Sequence, residues 1–138
     1  MLDNIGYALA YSGVGIALLV LGFVVLDLLT PGRLASHIWT ERSVNAAIVL
    51  SSGFLSLGLV IFTAIWTNSE SGFGSALGWT VAFGVLGVVL QAVAFVVLDL
   101  LTPGKLGEMV TLREFHPAAL VTASSQLAVA GIVVASIA

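Results

Sequence analysis

Four long stretches without a charged side chain decide the solvent in which this chain folds. They run from Ile5 to Leu26, Ala46 to Trp66, Phe73 to Leu98 and Pro117 to Ala138. A helix rising 1.5 Å per residue needs about 20 mostly apolar residues to cross a hydrocarbon core of about 30 Å, and each stretch meets that length. The composition agrees: 59% of the 138 residues are hydrophobic and 8% are charged, whereas soluble domains carry about 25% charged residues. Too little polar surface exists to face water on all sides, so the excess apolar surface must face lipid. The runs lack the strict alternation of a spanning β-barrel strand. The sequence therefore predicts an all-α integral membrane protein with four transmembrane helices. Met1-Leu2-Asp3-Asn4 is acidic where a secretory signal would be basic, so the first span is read as a retained helix.

All four basic residues fall between odd and even spans: Arg33 and Arg42 between the first and second, Lys105 and Arg113 between the third and fourth. By the positive-inside rule, loops 31–45 and 103–116 are cytoplasmic and both termini extracytoplasmic. Tyr7, Trp66 and Trp79 would then lie at the outer interface and Trp39 at the inner one. In the loops, Leu34, Ala35, Ile38 and Trp39 recur at helical spacing, as do Leu106, Met109 and Val110. Short helices on the inner leaflet and plain solvated connectors both fit that pattern. A net charge of −3 with four basic residues excludes nucleic-acid binding, and the absence of cysteine excludes disulfides and thiolate metal sites.

The chain repeats itself. Phe23-Val-Val-Leu-Asp27-Leu-Leu-Thr30-Pro31-Gly32-Arg33-Leu34 returns 72 residues later as Phe95-Val-Val-Leu-Asp99-Leu-Leu-Thr102-Pro103-Gly104-Lys105-Leu106, with eleven of twelve positions identical. At the same offset Ala46-Ala47 meets Ala118-Ala119, and Ser52 meets Ser124. The expected organisation is two tandem helical hairpins of the same orientation, residues 1–66 (spans about 5–29 and 46–66) and 73–138 (spans about 73–101 and 117–138). They would be related by an axis along the membrane normal.

Asp27 and Asp99 each precede a helix-stopping proline by four residues, which sets the carboxylate about 6 Å inside the last turn. An acid there meets both the low-dielectric bilayer and the partial negative charge of a helix C-terminus, so it needs a partner, a proton or water. One reading pairs each Asp with Arg33 or Lys105, within or across the repeats, to anchor the bundle end. A second makes the two acids a cation or proton site lining a shared polar cavity. Docking to a partner protein is a third. The remaining intramembrane polar residues include Ser51, Ser52, Ser56, Gln91, Thr122, Ser124, Ser125 and Gln126. Gln91 and Gln126 approach mid-membrane, where interhelical hydrogen bonding and a polar lumen through the second repeat are both open readings. No nucleophile–base set, phosphate loop or metal-ligand spacing appears. His37 and His116 are read as solvated, and no cofactor, metal or enzymatic activity is expected.

The paired Asp and Thr-Pro motifs at residues 27–31 and 99–103, with Ala46-Ala47, Ser52-Gly53 and Ala118-Ala119, resemble the YjfL-like family of small bacterial membrane proteins, catalogued as domain of unknown function 350. The resemblance covers nearly the whole chain and implies an inner-membrane protein linked to envelope homeostasis, since family members tend to occur beside membrane-stress and polyamine-related genes. The family often places an Asn two positions before the small pair. Here Val44 stands at that position with Asn45 one step on, and the second copy has His116-Pro117. Residues and resemblance together point to a non-enzymatic, oligomeric channel-like or ion-handling module with Asp27 and Asp99 at its cytoplasmic mouth. The alternative is an accessory or scaffolding subunit of a larger membrane complex with purely structural aspartates.

Overall fold

The computed structural model describes residues 2–29, 34–68, 72–101, 106–112 and 114–138. Six helices follow in order: α1 (Leu2–Leu29), α2 (Leu34–Trp39), α3 (Val44–Thr67), α4 (Phe73–Leu101), α5 (Leu106–Thr111) and α6 (Ala118–Ile137). No strand occurs among the described residues. Helices α1, α3, α4 and α6 are long and apolar enough to cross a membrane. Both loops between them contain a short helix, as the spacing of their apolar residues allowed. The two short helices differ in what they do: Met109 and Val110 of α5 are buried against Leu26, Ala46, Phe95 and Ala119, whereas Trp39 at the end of α2 is exposed.

The bundle is organised around α3. Its buried residues (among them Ala46, Val49, Ser52, Ser56, Val60 and Ala64) recur every three or four positions and form one continuous stripe. That stripe faces α6, which answers with Ala119, Thr122, Gln126, Ala130 and Val133. Small side chains on both faces let the two backbones approach, which substitutes for the hydrophobic drive that lipid does not supply. Leu57 and Ile61 turn instead toward Leu18 of α1 and Val88 of α4. Here close packing depends on glycine: a Cβ on Gly22 would sit 2.9 Å from Leu57 Cδ2, and one on Gly84 would collide with Leu18. By contrast Gly6, Gly13, Gly74 and Gly78 meet nothing within 4 Å.

A rotation exchanging the two predicted hairpins would make α1–α6 the counterpart of α3–α4. The packing departs from that relation, because α3 and α4 lie against each other while α1 and α6 have little or no contact. The reason lies in side chains. Helix α3 carries buried residues on faces toward three neighbours, while α1 buries only Leu18 and Leu26. At the end of the bundle holding the start of α1, Tyr7 stacks on Phe73 with ring centroids 4.5 Å apart, and Tyr11 meets the same ring edge-on. Trp66 and Trp79 are exposed toward this same end, as an aromatic belt requires. Between α3 and α4, Gly72 adopts φ 93°, a conformation that costs a residue with a Cβ but not glycine.

Candidate functional site

Asp27 and Asp99 lie in the last turns of α1 and α4, each two residues before its helix ends, and both are half-buried. Neither is without an interaction partner in the protein. The expected charge partners Arg33 and Lys105, and the motif residues Thr30, Pro31, Gly32, Thr102, Pro103 and Gly104, fall outside the described residues.

Deeper in the bundle the four spanning helices enclose a small cavity of ≈30 Å³. Leu26, Leu57, Val88 and Phe95 are among its mostly apolar lining residues, and Gln91 and Gln126 line it as well. Gln126 is 3% exposed, and its Oε1 accepts a 2.6 Å hydrogen bond from the Ser52 hydroxyl across the α3–α6 contact. The Ser52 Oγ also lies 2.9 Å from the Val49 carbonyl, so its one proton is shared between the two acceptors. The Gln91 Nε2 is buried with no hydrogen-bond partner in the protein, as is the Ser56 hydroxyl. An unpaired buried donor costs about 1–3 kcal/mol, and the cavity beside Gln91 is large enough for a water molecule to remove that penalty. Gln91 and Gln126, expected only as separate intramembrane polar residues, thus line one space. Ser124, the sequence counterpart of Ser52, is exposed on α6 and does not join them.

The strongest polar constellation lies where sequence reasoning assigned no role. Ser43 is the N-cap of α3, accepting from the Ala46 N–H at 3.2 Å, and its hydroxyl reaches the carbonyls of Val110 (2.9 Å) and Leu112 (2.6 Å). Asn45, the second residue of the helix and 0% exposed, donates from Nδ2 to the carbonyls of Met109 (3.1 Å) and Glu114 (2.8 Å). Its Oδ1 accepts from the His116 N–H at 2.8 Å. With carbonyls on one side and an N–H on the other, the orientation of the amide is determined by its surroundings. Ser43 and Asn45 therefore clasp the α5 segment and the chain leading to α6 against the start of α3. The detectable signal was a Ser N-cap followed by an uncharged amide at the head of an apolar run. His37, read as solvated, is half-buried, and its Nδ1 lies 2.5 Å from Glu41 Oε2 one helical turn on. His116 is exposed, and its Nδ1 accepts from the Ala118 N–H. Among the described residues no three His, Asp or Glu side chains group as metal ligands.

Four lipid-length helices around a core of small residues and a few interhelical amides define a small polytopic membrane protein. The chain belongs to the family described as Domain of Unknown Function (DUF350), which matches residues 1–137. It is 39% identical over 127 residues to a UPF0719 transmembrane protein of Mycolicibacterium paratuberculosis, covering 92% of this chain and 83% of that one. UPF0719 transmembrane proteins of Mycobacterium bovis and Mycobacterium tuberculosis are each 35% identical over 137 residues, covering 99% of this chain and 90% of theirs. No solved structure matches the chain.

Proposed function

We propose that the protein is a non-enzymatic module of the bacterial inner membrane that handles protons or small cations as an oligomer. The observation carrying this reading is the buried, unpartnered Gln91 amide on a water-sized cavity in the bundle interior. Gln91 lies on the same helix as Asp99, eight residues and about 12 Å deeper. Ionisable residues near helix ends and solvated amides farther in are the groups from which proton and cation paths are built. At ≈30 Å³ the cavity holds a water molecule rather than a conduit, so a continuous path would run between copies of the chain. The open faces at Gly74 and Gly78 favour such association. In this reading both basic loops face the cytoplasm, with Asp27 and Asp99 at the cytoplasmic mouth, and the two repeats act as a tandem pair.

The test is flux. Full-length protein in liposomes should dissipate an imposed proton or cation gradient, and Asp27→Asn with Asp99→Asn should abolish this while fold and assembly stay intact. Wild-type vesicles that hold every gradient would end the proposal. The Ser43–Asn45 clasp favours a second reading, an accessory subunit that presents a rigidly fastened inner end to a larger complex. On that reading the double substitution weakens assembly and there is no flux to lose.

A further inference from the structure

A second concavity lies on the side of the bundle, on the other side of the Ser52–Gln126 contact from the glutamine cavity. Val44, Ala47, Ile48, Ser51 and Leu55 form one face of α3 at spacings of three, one, three and four residues, and they line an open groove of ≈560 Å³. Ile38 of α2 walls it on one side and Ala123 of α6 on the other. Its depth comes from small residues: Ala47, Ser51 and Ala123 lie between the bulkier Ile38, Ile48 and Leu55. From Val44 to Leu55 the groove spans eleven residues, about 16 Å along the helix axis. That equals the hydrocarbon depth of one leaflet, about 15 Å.

The mouth of this groove is charged. Arg42 lines it at the turn between α2 and α3, exactly where a headgroup would sit above an acyl chain in the groove. Arg42 is exposed and is the one non-glycine residue with positive φ among the described residues, at 55°. An arginine held in the left-handed region carries a backbone cost that glycine or asparagine would avoid. The adjacent Glu41 carboxylate is directed at His37, with Oε2 2.5 Å from Nδ1, rather than at Arg42.

We propose that this groove is a binding site for one anionic phospholipid of the leaflet on the basic-loop side, with its phosphate on Arg42 and one acyl chain along α3 as far as Leu55. Guanidinium recognises phosphate through paired, charge-assisted hydrogen bonds, and a basic residue between helices at the membrane surface selects anionic headgroups. The negative net charge of the chain repels such lipids generally, which makes a local arginine decisive.

The experiment is competition between phosphatidylglycerol and phosphatidylcholine of matched chain length for full-length protein in mixed micelles, with bound lipid read by native mass spectrometry. Wild type should retain phosphatidylglycerol preferentially. Arg42→Gln should lower its occupancy about fivefold and erase the preference, while Arg42→Lys keeps most of it. Arg42→Gly relieves the backbone strain while removing the charge, so it should stay folded and lose the preference as Arg42→Gln does. Ser51→Phe, at an exposed position, should block both lipids by filling the groove. A phosphatidylglycerol preference unchanged in Arg42→Gln and Arg42→Gly, or undiminished binding in Ser51→Phe, overturns the proposal.

Discussion

Replacing Asn45 by aspartate is the sharpest available test of the clasp, because it keeps shape while exchanging two donors for a charged acceptor. Asn45→Ala removes the bonds to Met109, Glu114 and His116, each worth about 1 kcal/mol net. Glu114 and His116 are exposed and recover water, whereas the buried Met109 carbonyl does not. The sum for alanine is therefore about 2–3 kcal/mol. Asn45→Asp keeps the His116 bond and gains about 0.3–1 kcal/mol from a negative charge in the first turn of a helix. It also loses both donors and faces two carbonyl oxygens with a buried carboxylate, a mismatch of about 3–5 kcal/mol. The repulsion wins, so aspartate should destabilise at least as much as alanine. Hydrogen exchange of the amides in residues 106–112 reads this directly: alanine should speed it about 30- to 150-fold, since 1.4 kcal/mol is about tenfold. Val44→Ala, at an exposed neighbour, should leave it unchanged. If the aspartate variant exchanges more slowly than the alanine variant, the hydrogen-bond assignment at this clasp is wrong.

Other substitutions probe the bundle interior. Gly84→Ala should cost about 1–3 kcal/mol by driving a methyl into Leu18, and Leu18→Ala in the same chain should recover part of it, whereas Gly13→Ala should be neutral in thermal unfolding. Ser52→Ala and Gln126→Leu should each destabilise by about 0.6–2 kcal/mol, and the double variant by less than their sum, which a double-mutant cycle of unfolding measures. Gln91→Leu removes an amide without a protein partner, so it should change stability by less than about 1 kcal/mol while reducing any liposome flux; a fully active variant would separate Gln91 from transport.

How much of this was legible in the sequence depended on the range of the interaction. The four spans follow from runs of apolar residues and agree with the structure to within a few residues, because burial in lipid is a property of each segment alone. The two loop helices were legible as one of two readings, since Met109 and Val110 show helical spacing whether they meet lipid or protein. Their burial against Ala46 and Phe95 depends on how distant segments pack. Gln126 was visible as a polar residue at depth, but its partner Ser52 is 74 positions away, and nothing local distinguishes Ser52 from the exposed Ser51. Asn45 was hardest. The carbonyls it binds are main-chain groups, which every residue carries, so no sequence pattern marks the acceptor side of that clasp.

The clasp also accounts for why the two hairpins expected from the 72-residue offset do not pack as equals. The offset of 72 places Phe115 opposite Ser43 and Pro117 opposite Asn45. Pro117 begins α6 in a helical conformation with no side-chain cap, while Ser43 caps α3 and reaches across to α5. A clasp of this kind needs side-chain donors on one segment and free carbonyls on the other. If both repeats carried Ser and Asn at these positions, the second pair would require carbonyls near residues 37–42. In that segment the His37 carbonyl already accepts from the Ser43 N–H. One segment holds and the other is held, in keeping with an α3 that packs against all three other spanning helices and an α1 that buries only Leu18 and Leu26. The near-identical acid-bearing block lies outside this division: Asp27 and Asp99 end their helices in the same register even though the helices that follow have taken different roles.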